Sequence, residues 1–154
     1  MSQMPSSTPS GSSAKRNPTP AEIVTMAGGG VALIFSFLPF WTISFRGLGS
    51  SNTSAWGSGA FPVATLIALF ALVAGALAAL DVFGVSLPER LLSFTKTQLI
   101  LVFGCFATLL ALAFLIQDRG GASLGFGYYF MLLGSIAVLV GGVMLFMADD
   151  AAKG

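Results

Sequence analysis

Four uncharged apolar stretches, divided by short polar segments, set the pattern of this chain. The first runs from Ile23 to Ile43, 21 residues without a charge. At about 1.5 Å of rise per residue a helix of that length reaches roughly 30 Å, the thickness of a bilayer's hydrocarbon core. Its start is marked by Thr19-Pro20-Ala21-Glu22: a capping Thr, Pro at the first helical position and Glu three residues on. A cleaved signal peptide would end its apolar run in small residues. This run ends in Phe37-Leu38-Pro39-Phe40-Trp41 and follows a long polar stretch.

The second stretch covers Ala60 to Leu80, the third lies between Lys96 and Asp118, and the fourth centres on Phe126 to Met147. Each is long enough to cross a membrane as a helix. The pattern predicts an all-α integral membrane protein: an up-down-up-down bundle of four transmembrane helices over residues 19–148, with spans near 20–43, 60–80, 96–117 and 126–147.

Between and around the spans the chain reads as follows. Residues 1–18 are rich in Ser, Pro, Gly and Thr, which is the composition of a disordered tail. Ser44 to Gly59 reads as a flexible polar loop. Ser86 and Glu89 have capping-box spacing and could open a short helix through Phe94, and Thr95 and Gln98 repeat the device at the third span. The third connection is short and turn-rich, and residues 149–154 form a short polar tail.

Composition sharpens the class. Only 8% of residues are charged, against about 25% in soluble domains, and the mean hydropathy is +0.89. The net charge of +1 points to no acidic or basic partner, and the few basic residues are scattered, without a nucleic-acid signature. Histidine is missing, which removes the commonest general base and metal ligand. With no metal-ligand cluster and no paired carboxylates at catalytic depth, the reading assigns no catalytic, cofactor or metal residues.

Orientation follows from Lys and Arg beside the spans. Lys15, Arg16, Arg90, Lys96 and Lys153 fall on the side of the N-terminal tail, Arg46 and Arg119 on the other. Both termini are expected in the cytoplasm, in a multi-pass cell-membrane protein. Trp41, Trp56, Tyr128 and Tyr129 then all lie on the outer side, as interface anchors.

Small residues mark helix contacts in lipid, because they let backbones approach. The first span carries Ala21, Thr25, Gly28, Ala32 and Ser36 at helical spacing, and the second Ala60, Ala64, Ala68, Ala71, Gly75 and Ala79. Gly104, Thr108 and Ala111 do so in the third, and Gly134, Ala137 and Gly141 in the fourth. Each set lies on one face.

The polar residues have plain readings. Asp81 is a boundary residue at the inner end of the second span, and Gln98 a cap. Gln117, Asp118 and Arg119 form a solvated turn. Ser36, Thr65, Thr108 and Ser135 are expected to bond to a carbonyl one turn earlier. Cys105, within the third span, is expected to be an unreactive thiol. Asn52-Thr53-Ser54 fits a glycosylation acceptor, and Gly28-Gly29-Gly30 suits close helix packing better than a nucleotide loop.

The runs SAWGSGAFPVATLIALFALVAGALAAL, FTKTQLILVFGCFATLLALAFLI and GFGYYFMLLGSIAVLVGGV, with the Pro/Ser/Gly-rich tail and FLPFW, resemble small four-span membrane proteins of actinobacteria over Ala21 to Met147. The resemblance implies a fold and a bacterial source, and no reaction. The lipid bilayer is the expected partner, joined by a second membrane protein or further copies of the chain. A non-catalytic accessory or scaffolding subunit of a cell-envelope assembly is the leading expectation. An oligomeric transporter or channel for an apolar, lipid-like or small substrate is the alternative.

Overall fold

A computed structural model of the chain describes residues 17–45, 49–85, 90–91, 93–117 and 122–154. Four helices dominate: α1 (Pro20–Ser36), α2 (Val63–Val82), α3 (Lys96–Ile116) and α4 (Phe126–Ala151). The last three are long and apolar enough to cross a membrane, while α1 is an apolar helix of 17 residues.

Local chemistry sets the helix ends. At the start of α1, Glu22 N–H donates to Thr19 Oγ1 at 3.3 Å, and Thr19 N–H donates to Glu22 Oε2 at 2.7 Å. These bonds satisfy two donors that a helix start leaves open. Glu22 is buried by them. Thr95 and Gln98 make the same reciprocal pair at α3, at 3.3 and 3.0 Å. At the end of α2 the chain turns through Gly84 at φ 72°, a region that glycine enters without a Cβ clash. Val85 N–H then donates to Leu80 O and Gly84 N–H to Asp81 O, which closes a Schellman motif.

The fold is not purely all-α, and the first span is shorter than its apolar run. Helix α1 stops at Ser36, and Pro39–Phe45 forms strand β1. Proline lacks an N–H and disfavours helical backbone in the residue before it, so FLPFW ends the helix although its hydropathy would continue it. Within the expected flexible loop, Ser44 and Phe45 belong to β1 and Gly49–Ser54 forms strand β2, antiparallel to β1 with Ile43 opposite Ser51. Strand β5 (Ser123–Leu124), between α3 and α4, pairs with the other edge of β1, Trp41 opposite Leu124. The sheet order is β2-β1-β5. Before α3, the short helix expected near residues 88–94 is replaced over its described residues by two paired strands, β3 (Arg90–Leu91) and β4 (Phe94–Thr95). Ser86 and Glu89 lie outside the described residues, as do residues 1–16, Arg46, Asp118 and Arg119.

Helix α1 packs between α2 and α4, and α3 packs against the same two from the opposite side. The sheet joins the end of α1, the approach to α2 and the start of α4, so successive helices run in opposite directions. Two glycine doublets fit this ring. A Cβ on Gly28 would meet Gly134 O of α4 at 2.7 Å, and one on Gly29 would meet Ala71 O of α2 at 2.7 Å. Likewise a Cβ on Gly141 would meet Thr25 of α1, and one on Gly142 would lie 3.1 Å from Leu101 Cα of α3. Adjacent helical residues point about 100° apart, so a doublet gives one close approach to each of two flanking helices.

Small residues fill the interior and large apolar ones face outward, unlike the polar exterior of a water-soluble bundle. Ala64, Ala68, Ala71, Ala107 and Ala111 are wholly buried, whereas Ile34, Leu109, Leu133 and Phe106 are more than half exposed.

Candidate functional site

The sheet end of the ring carries the most elaborated chemistry. Gly125 N–H donates to Phe40 O at 2.7 Å, and a Cβ on Gly125 would collide with Pro39 O. That close approach lets β1 cross the start of α4 and drive Phe40 into the ring. Phe40 is fully buried, edge-on to Phe114 at 5.1 Å and to Tyr128 at 5.4 Å between ring centroids. Such edge-to-face pairs match the quadrupoles of the rings.

Tyr128, expected as an interface anchor, is a core residue, wholly buried, whose hydroxyl donates to Ala111 O at 2.7 Å. Gly127 explains the burial: next to the Phe35 carbonyl, it allows α4 to enter close beneath the cap and turn Tyr128 inward. Tyr129 remains half exposed. Trp56 stacks on Phe37 at 5.6 Å and donates its Nε1–H to Ser36 Oγ at 2.9 Å. Trp41 sits on strand β1 rather than on a helix end, and its Nε1 is buried with no acceptor among the described residues.

Beside this cap a cleft of about 210 Å³ opens between the entry to α2 and the end of α3. Trp41, Phe114, Ala113, Phe61, Val63 and Gln117 line most of it. The opposite end of the ring has a second cleft of about 390 Å³, where Glu22, Asp81 and Asp149 converge. Lys96 donates to Asp81 at 2.5 Å, Lys153 to Asp149 at 2.6 Å, and Glu22 is held by Thr19. Among the described residues no group of three acidic or thiol side chains could hold a metal.

The small residues picked out by spacing occupy helix contacts. Ala32 and Ala137 flank the Gly28–Gly134 crossing, Gly75 faces Gly29, and Gly104 faces Leu139. Ala21, Thr25, Ser36, Ala64, Ala68, Ala71, Thr108, Ala111 and Gly141 are buried, and Ala137 and Ala79 half-buried. Ser36, Thr108 and Ser135 bond to carbonyls of the preceding turn: Leu33, Gly104 and Met131. Thr108 also reaches Ser135 O on α4 at 3.0 Å. Thr65 departs from that expectation and donates to Ala55 O of the preceding turn region at 2.8 Å, because α2 begins only two residues before it.

Sequence reasoning missed Phe40, Gly125, Gly127 and Gly142. A doubled glycine within an apolar run, and Gly-x-Gly just before one, are signals that could have found three of them. No family model matches the chain, no curated protein is similar to it at a significant level, and no solved structure matches its fold.

Proposed function

We propose that the chain is a four-pass membrane protein with both termini in the cytoplasm, serving without catalysis as an accessory or scaffolding subunit of a cell-envelope assembly. One observation supports embedding above all: alanine and glycine fill the interior while Ile, Leu and Phe face outward along the helices. In water such a surface would far exceed the apolar patch that a monomer tolerates, and in lipid it costs nothing to expose. Helix α1 lies against α4 from Ala21, beside Gly141, to Phe35, beside Gly127. If α4 crosses, α1 must cross with it, and the 17-residue helix reaches the interface by continuing into the aromatic cap.

The scaffolding role draws on how the interior polar groups are spent. Thr25, Ser36, Thr65, Thr108 and Ser135, all buried, each donate to a backbone carbonyl. A transport path would leave polar side chains free near the midplane. Outside the bundle, β2 is an edge strand of Gly49 and five polar residues, all exposed or half-exposed, an outline that an extended segment of a partner can pair with. The resemblance to small four-span actinobacterial proteins points to a bacterial envelope.

Native gel electrophoresis after gentle solubilisation tests the reading. The expected result is a defined species much larger than the 15.8 kDa chain, containing a second membrane protein in fixed stoichiometry. A species containing only this chain, conducting ions or moving lipid in liposomes, would replace scaffolding with transport.

A further inference from the structure

We draw no further inference here: the strongest candidate, the apolar groove of about 410 Å³ that runs between α1 and α4 over the Gly28–Gly134 crossing, is an unpartnered apolar face, and nothing in the structure shows what covers it.

Discussion

Gly28 and Gly134 cross in reciprocal backbone contact: a Cβ on either would lie 2.7 Å from the other's carbonyl oxygen. Nothing there can yield, because the obstructing atoms are backbone. Gly28→Leu or Gly134→Leu is expected to force α1 from α4 and lower stability by about 1–3 kcal/mol or more, the scale of overpacking. Gly30 is the internal control. A Cβ there meets nothing within 4 Å, so Gly30→Ala should be neutral or stabilising by up to about 1 kcal/mol through helix propensity. Thermal melting in one detergent checks all three, and equal losses at Gly28 and Gly30 would contradict the contact.

Trp56 ties the cap to the end of α1 through Ser36 Oγ, which in turn donates to Leu33 O. Trp56→Phe keeps the stacking on Phe37 and removes one neutral hydrogen bond, so a loss of about 1 kcal/mol is expected. Ser36→Ala should cost a similar amount, and the double variant less than the sum, as bonded pairs do. Strict additivity in chemical or thermal unfolding would show that the two do not communicate.

What the chain made readable follows from range. The capping boxes at Thr19–Glu22 and Thr95–Gln98 are settled within four residues, so they can be read locally. Small-residue spacing is likewise a property of one helix. The sheet is different. Trp41 pairs with Leu124, far along the chain, and two-residue β5 carries no pattern of its own. Absence of charge from Ile23 to Ile43 says only that the segment tolerates an apolar setting, and Pro39 decides that its last part is extended. The burial of Tyr128 was illegible for a related reason. Aromatic residues at a span end fit either lipid or a packed cap, and Gly127, which turns Tyr128 inward, acts through contact with a distant carbonyl.

Cys105 gives a direct probe of the surroundings of α3. Its side chain is exposed on the helix ring, so in water a hydrophilic maleimide would reach it readily. In lipid the same exposure faces acyl chains. Intact membranes are expected to protect Cys105 from a charged maleimide and to admit a small apolar one, with full charged labelling after denaturation. Rapid labelling by the charged reagent in intact membranes would contradict embedding of this helix face.

The two ends of the ring should lie on opposite sides of the membrane. Ser51, on the exposed stretch of β2, belongs to the sheet end, and Asp150, exposed near the end of α4, to the other. Under the proposed topology, the charge balance beside the spans would put the sheet end outside. Lys96, bonded to Asp81, and Lys153, bonded to Asp149, then both lie on the cytoplasmic side, where cationic residues near span ends are favoured. In a Cys105→Ala background, Ser51→Cys is expected to react with an impermeant maleimide on intact cells. Asp150→Cys should react only after permeabilisation. Both positions are exposed, so neither substitution disturbs packing. Labelling of Asp150→Cys but not Ser51→Cys from outside would reverse the orientation and keep the fold. Labelling of both from outside would mean that α2, α3 and α4, which lie between them, do not make an odd number of crossings, and the four-pass topology would fall.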